Sequence, residues 1–416
     1  MRNLVEKSRR HLHSLSSESF FRPLIYSLTP LPDRVIPKRE REREKDGGLR
    51  RGNSIDGVLL HVAKPIPGAP ETLRYLQDHS IPFILLTNGG GKHEAERVAD
   101  LSARLGVKLS TDNFVQSHTP FQELVDGSGS GNGLQQGSQS HGGEGLRDKT
   151  ILVTGSDAAK ARDIAEAYGF GRVVTPADIL AAQPTVWPFE PLMKERYAAT
   201  ARPLPTTTNT KIDAIFVFND PRDWALDIQI ITDLLLSESG MLGTYSAKNG
   251  DPSLPGAGWQ QDGQPPLFFS NPDLFWSAQY HLPRLGQGAF QAALAGVWRE
   301  ITGGMAELQR TVIGKPHHQT YAYAERVLNA HRAELLGRKT DAGPLRRVYM
   351  VGDNPESDIR GANEYRSAEG TGWSSVLVRT GVWDPKRGGE PRHRPKVIVD
   401  DVKAAVDWAL GQEGWR

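Results

Sequence analysis

Four short stretches carry side chains able to work together on a phosphate. Asp56 stands in Asn53-Ser54-Ile55-Asp56-Gly57. Thr87-Asn88-Gly89-Gly90-Gly91 follows an apolar run, Lys315 lies in Gly314-Lys315-Pro316, and Asp353 and Asp358 fall in Gly352-Asp353-Asn354-Pro355-Glu356-Ser357-Asp358. Carboxylates, hydroxyl or amide donors and one lysine describe a magnesium-assisted phosphoryl site. Magnesium takes hard oxygen ligands, usually one or two carboxylates with several waters. The Thr87 hydroxyl and the backbone N–H groups of Asn88 and Gly89 would bind phosphate oxygens, and Lys315 would neutralise charge building up in transfer. Each piece has a plain reading as well: Asp-Gly forms turns, Asp353-Asn354-Pro355 can cap a helix, and a single lysine is usually solvated. The joint order of the four is the signal.

The elements that must position them form an alternating series. Pro82-Phe83-Ile84-Leu85-Leu86 is continuously apolar, as expected of a parallel strand buried on both faces. A helix over about residues 70–78 precedes it, and one with Val98, Leu101 and Leu105 follows. Strand, glycine-rich loop and helix in that order is the signature of a doubly wound sheet, whose strands end along one shared edge. A second α/β series begins at Ile151-Leu152-Val153 and continues through a strand at 212–218 and Leu267-Phe268-Phe269. The first pattern then returns at a helix through about residue 333, with strands at Arg347–Val351 and Ser375–Val378. The spacing therefore predicts one α/β body inserted into another.

Bulk properties narrow the class. The 416 residues carry 38% hydrophobic and 24% charged residues and a formal net charge of +1, which speaks against a global electrostatic footprint for nucleic acid. The absence of cysteine excludes disulfides, thiolate zinc sites and cysteine nucleophiles. No apolar run approaches the roughly 20 residues of a membrane span. Residues 1–52 read either as a disordered basic leader or as a mitochondrial targeting segment, though Glu6 and Glu18 run against the latter type; without import, the location is cytoplasmic. Residues 38–46 alternate in charge sign and suit a solvated stretch. Residues 127–145 are rich in Gly, Ser and Gln and suit a flexible surface loop.

The four stretches resemble the motifs of the haloacid dehalogenase superfamily of phosphohydrolases, most closely subfamily IIA. Ser117-His118-Thr119-Pro120-Phe121, Asp220-Pro221-Arg222-Asp223-Trp224, Asn271-Pro272-Asp273, Arg284–Phe290 and Gly352–Asp358 resemble its cat eye syndrome critical region 5-like branch. The resemblance covers about residues 55–416. It implies a Rossmann-like core at 53–121 and 312–416, with a C2-type α/β cap at 122–311 that could also serve homo-oligomerisation. By the same resemblance Asp56 is the general acid/base with its carbonyl on Mg2+, and Asp353 ligates the metal. Asp358 supports that ion directly or through water, and Thr87 and Lys315 hold the phosphoryl group. Asp220–Arg222 and Asn271–Asp273 would choose the substrate, unless they are simply turns. The implied substrate is a small phosphorylated compound, with the branch's links to mitochondria and glycerophospholipid enzymes suggesting one from that pathway.

The sequence departs from that family in two places. The first motif of the family is Asp-x-Asp-Gly, whose first aspartate attacks phosphorus and ligates magnesium. Ser54 holds that position here and cannot form an aspartyl-phosphate. Acid/base catalysis alone contributes roughly 10²–10⁴-fold, so weak or absent activity is expected. The segment just upstream, Gly47-Gly48-Leu49-Arg50-Arg51-Gly52-Asn53, has one apolar residue and cannot be a central strand. Two explanations compete. Residues 1 to about 54 are not the native start, as after a misassigned exon boundary, or the chain is a pseudoenzyme that keeps the scaffold for binding.

Overall fold

A computed structural model describes residues 24–27, 57–61, 64–127, 145–155, 158–205, 210–276, 280, 282–337, 345–383 and 389–415. Strand β1 is Leu24–Ser27. The chain then resumes in a small hairpin, β2 (Leu60–His61) and β3 (Lys64–Pro65), paired antiparallel. Helix α1 (Ala69–Asp78) starts after Gly68 in the left-handed region, with a proline in its first turn, and buries Ala69, Thr72, Leu73 and Leu76. That spacing puts one stripe of the helix on the sheet. Strand β4 (Phe83–Leu86) is buried at every residue. Helix α2 (Glu94–Leu105) is capped by the His93 side chain and closed by left-handed Gly106, a common helix ending. Strand β5 is Phe114–Val115.

The inserted body follows. It comprises β6 (Thr150–Thr154), α3 (Ala158–Tyr168), β7 (Arg172–Val174), α4 (Pro176–Ala182), α5 (Lys194–Thr200), β8 (Ala214–Val217) and α6 (Trp224–Leu236). It continues through β9 (Leu267–Phe269), a hairpin of β10 (Phe275–Trp276) and β11 (Arg284–Leu285), α7 (Gln287–Ile301) and β12 (Thr311–Val312). The chain returns to the first body through α8 (His318–Leu335), β13 (Arg347–Gly352), a π-type turn at Pro355–Ile359, α9 (Arg360–Glu364), β14 (Gly372–Val378), β15 (Val397–Val399) and α10 (Val402–Gln412).

Two parallel sheets result. The core sheet has the order β15-β14-β13-β1-β4-β5 and the cap sheet β12-β9-β8-β6-β7. Both are doubly wound, each sandwiched between two apolar clusters. In the core, one face packs Leu73, Leu76, Leu101 and Val406, the other Tyr321, Leu328 and Met350. In the cap, one face packs Ile231, Leu234, Leu294 and Trp298, the other Phe121, Ile164, Phe170 and Phe216.

Three expectations need correction. The core sheet does have a central strand from the chain ahead of Gly57, and it is Leu24–Ser27, inside the segment assigned to a leader. It pairs in parallel with β13 (Ile25↔Met350) and with β4 (Ile25↔Ile84), and its end Ser27 stands opposite Leu86. An apolar Leu-Ile-Tyr run suits that central position, whereas the Arg50-Arg51 segment does not. The cap sheet also extends to Val312, because β12 pairs with β9. Phe121, assigned to the core, packs in the cap cluster. Ser54, Asp56, the rest of the leader and most of the glycine-rich 127–145 stretch lie outside the described residues.

Candidate active site

In the core sheet the chain runs from β1 toward β4 and β5 on one side and toward β13 to β15 on the other. The crevice beyond the strand ends at such a reversal is the usual ligand position in open α/β sheets. Thr87 follows β4 and Asp353 follows β13, so both side chains stand on that edge. Each of Thr87, Asn88, Lys315, Asp353 and Asp358 is buried.

Lys315 is the hub. Its Nζ pairs with Asp358 Oδ1 at 2.8 Å and donates to the Leu86 carbonyl at 3.3 Å. An ammonium has three donors, which leaves one N–H for a phosphoryl oxygen. The Asn88 side chain fixes the lysine backbone from both sides, accepting from Lys315 N at 2.6 Å and donating to Lys315 O at 2.9 Å. Sequence spacing put Lys315 at a helix start, but it precedes α8 by three residues, in the segment returning from the cap. Asp358 has both oxygens engaged, since Oδ2 accepts from the amides of Asp353 and Asn354 at 3.2 and 3.1 Å. Its observed task is to hold Lys315 and the Asp353 loop.

Thr87 Oγ1 accepts from Gly89 N at 2.9 Å, so its hydroxyl proton can still point outward. Asp353 Oδ2 accepts from Val382 N at 2.8 Å. Two glycines press on the same carboxylate: a Cβ on Gly57 would come within 2.4 Å of Asp353 Oδ2, and one on Gly381 within 2.1 Å. Gly57 also has φ of 134°, a conformation few other residues adopt. Gly57, the residue after Asp56 in the sequence, thus stands directly against Asp353. Among the described residues no three acidic or histidine side chains converge tightly enough to hold a metal ion. Asp353 is the carboxylate on this edge that a magnesium ion could use, in keeping with that ion's habit of taking one or two carboxylates with several waters.

The cap closes one side. Asn271 Nδ2 donates to Asn88 O at 3.1 Å, and Asn88 Nδ2 donates to Asp273 Oδ1 at 3.2 Å. Asn271 Oδ1 also accepts from Asp273 N at 2.8 Å, so the loop is both a turn and a clasp on the core. Burial pushes the Asp273 carboxyl up to about 7, against the pull of Lys315 and Asn88. Asp220 is likewise raised by burial, with Arg222 opposing. The sequence left both segments undecided between turns and substrate contacts. The signal available was position: Asn271–Asp273 follows a buried strand end, as the core motifs do.

A second network escaped the sequence reading. His118 is fully buried; its Nδ1 lies 2.6 Å from Tyr168 OH, at the end of α3, and its Nε2 accepts from Gly91 N at 3.4 Å. Glu94 accepts from Thr119 Oγ1 at 2.7 Å and from Tyr168 OH. Burial pushes His118 down to about 4, with Glu94 opposing. Burial pushes the Glu94 carboxyl up, but His118, Tyr168 and Thr119 together hold it below its ordinary value. The glycine loop is thus tied to the cap through a neutral histidine.

A family model for haloacid dehalogenase-like hydrolases matches residues 54–171, and a second for the same kind of hydrolase matches residues 312–405. A mitochondrial hydrolase of Saccharomyces cerevisiae is 39% identical over 372 residues, covering 86% of this chain and 94% of the relative. The chain belongs to the haloacid dehalogenase-like hydrolases. A Schizosaccharomyces pombe fusion of cardiolipin synthase (CMP-forming) with a mitochondrial hydrolase is also 39% identical over 361 residues, covering 86% of this chain; the chain spans about half of that relative, 52%. Among solved structures, a hypothetical protein from Pyrococcus horikoshii matches at TM-score 0.55 and 16% identity, covering 94% of this chain and 100% of that one. A 4-nitrophenylphosphatase from Thermotoga maritima matches at 0.51 and 14%, covering 93% and 97%. Both share the fold. The first of these matches opens at Ser54, and the second spans Lys315, Asp353 and Asp358.

Proposed function

We propose that this hydrolase scaffold is built for magnesium-dependent hydrolysis of a small phosphate monoester, and that Ser54 leaves the chain weak or inactive. The observation that carries the reading is the convergence of Thr87, Lys315, Asp353 and Asp358 on one strand edge, with Gly57 pressed against Asp353. The roles follow from chemistry. The Thr87 hydroxyl, the Asn88–Gly89 amides and the remaining Lys315 N–H hold the phosphoryl oxygens. Asp358 fixes the lysine, and Asp56 protonates the leaving oxygen. Asp353, with the Asp56 carbonyl and waters, would hold magnesium, which would supply neutralisation of phosphoryl charge. Asn271 and Asp273 close the crevice and face the leaving group. The mitochondrial names of the fungal relatives support a mitochondrial location. The fusion to a cardiolipin synthase in one of them supports a phosphate ester of glycerophospholipid metabolism as substrate.

A second reading rests on Ser54 itself. A serine there supplies neither the nucleophilic carboxylate nor its metal charge, which suits a phosphate-binding protein that no longer turns over. The deciding experiment is hydrolysis of 4-nitrophenyl phosphate with and without magnesium, by this chain and by Ser54→Asp, with circular dichroism to establish folding. Magnesium-dependent turnover that rises in Ser54→Asp supports the phosphatase reading. A folded Ser54→Asp protein with no turnover defeats it.

A further inference from the structure

The glycine loop after β4 is gripped by the cap at two places. On one side Asn271 and Asp273 clasp Asn88. On the other, the segment that carries the chain out of the core runs along the loop residue by residue. Gln116 Nε2 donates to Lys92 O at 2.8 Å, Ser117 N donates to Gly89 O at 3.2 Å, and His118 Nε2 accepts from Gly91 N at 3.4 Å. The approach is close: a Cβ on Gly90 would fall 2.7 Å from Ser117 Oγ and 2.8 Å from His118 Cδ2. Beyond His118 stands Tyr168, the last residue of α3. Its hydroxyl lies 2.6 Å from His118 Nδ1 and donates to Glu94 in the first turn of α2. A carboxylate only accepts, so the phenol proton goes to Glu94 and the phenol oxygen accepts from His118 Nδ1–H. That leaves Nε2 as the acceptor for Gly91 N–H. The direction of every bond is fixed from the cap end to the loop end.

We propose that His118 is a positioning residue for phosphate: through Tyr168 it makes the geometry of the Thr87–Gly91 loop, and so the loop's affinity for a phosphoryl group, depend on the seating of the cap. This rests on the reading of that loop as the phosphate cradle, and adds which residue aligns the cradle and what controls it. His118 acts on the loop backbone and touches no substrate. Gly89, Gly90 and Gly91 have no side chains to brace them and the widest backbone freedom of any residue, so their alignment must come from outside ties. Backbone N–H donors weaken steeply when turned away from an acceptor, and they favour a bound anion most when already aimed at it. Burying an imidazole is costly unless its nitrogens are paired. Here one nitrogen is committed to the loop and the other to the cap, an arrangement that mere space-filling would not need. The two cap grips come from separate elements, the segment after β9 and the end of α3, so a shift of the cap moves the loop at Asn88 and Gly91 together. By reciprocity, phosphate bound in the loop must favour the seated cap.

Both the phosphatase reading and the phosphate-binding reading require the full chain to take up inorganic phosphate, so the probe is calorimetric titration with phosphate in the presence of magnesium. Tyr168→Phe removes one cap hydroxyl, which bonds His118 and Glu94, and should weaken phosphate about five- to tenfold. His118→Leu should weaken it about tenfold or more. His118→Gln, whose amide oxygen can still accept from Gly91 N–H, should recover most of that loss. Hydrogen exchange at residues 87–92 should be about fivefold faster in Tyr168→Phe than in the parent, with β13 unchanged. In the unsubstituted chain, saturating phosphate should slow exchange at the Tyr168 end of α3 as well as in the loop. That arm needs no variant and decides the question if a variant fails to fold by circular dichroism. The proposal is overturned if folded Tyr168→Phe matches the parent within about twofold in either phosphate affinity or loop exchange. It is also overturned if leucine and glutamine at position 118 behave alike, or if phosphate protects the loop and leaves α3 unchanged. No phosphate uptake by the unsubstituted chain defeats the phosphoryl-site reading itself and this inference with it. Uptake that ignores the changes at Tyr168 and His118 defeats the inference alone.

Discussion

Replacing Lys315 by methionine removes a charge that sits 2.8 Å from Asp358 Oδ1, with the two side chains 1% and 0% exposed. At an effective dielectric constant of about 20, that separation corresponds to roughly 6 kcal/mol of attraction. Desolvation of both groups offsets much of it in the intact pair. The variant loses the attraction while keeping the buried carboxylate, so the expected loss of stability is about 3–5 kcal/mol. Methionine retains most of the aliphatic stem, so packing contributes little to that figure. Asp358→Asn should cost a comparable amount, because the buried ammonium keeps only neutral acceptors and the more distant Asp273 carboxyl. The double variant removes both charges and should be no less stable than either single variant, giving a coupling energy of at least about 3–5 kcal/mol. Urea unfolding of the four proteins at pH 7 measures this cycle. If either single variant lies within about 1 kcal/mol of the parent, or the two losses simply add, the pair is not the buried hub described.

Three further outcomes follow from the same geometry. The ring of His118, held near 4 from an ordinary 6.5, should show no titration by NMR from pH 8 down to about 5. Because its folded pKa is depressed, the stability tied to its neutral form is complete above about 6.5. It is lost as pH falls toward 4, by on the order of 3 kcal/mol. Asp227, buried on α6, has the opposite sign: its folded pKa of about 7 exceeds the ordinary 3.8, so the fold loses stability as pH rises from about 4 to 7. Thermal melts at pH 8 should show Asp227→Asn more stable than the parent, with the gain vanishing near pH 4. Gly381→Ala should cost magnesium affinity and stability together, since its Cβ would fall 2.1 Å from Asp353 Oδ2, as read by magnesium titration and by melting.

The elements that the sequence made legible are those with one uninterrupted period. Phe83–Leu86 and Arg347–Gly352 are apolar runs ended by polar, glycine-bearing loops, and both are core strands carrying motif residues at their ends. Leu24–Ser27 was not legible because its apolar run is three residues long and 29 residues (28–56) separate the strand from Gly57. Local pattern gives no hint of a partner at that distance. Thr87, Asn88, Lys315, Asp353 and Asp358 could be brought to one crevice by strand-end reasoning alone. The clasp of Asn271 and Asp273 on Asn88 could not, because it depends on how the cap edge meets the core edge. His118 and Glu94 were hidden for another reason. A buried histidine satisfied by a tyrosine has no periodic signature, and Tyr168 is 50 residues away.

The central claim is that this scaffold performs phosphoryl transfer through position 54. Its most direct test is mass spectrometry of Ser54→Asp, quenched in acid after mixing with magnesium and 4-nitrophenyl phosphate. A covalent phosphoryl group on the introduced carboxylate, absent from the unsubstituted chain and from Ser54→Asn, is the predicted result. A variant that hydrolyses the ester while carrying phosphate on another residue would contradict it.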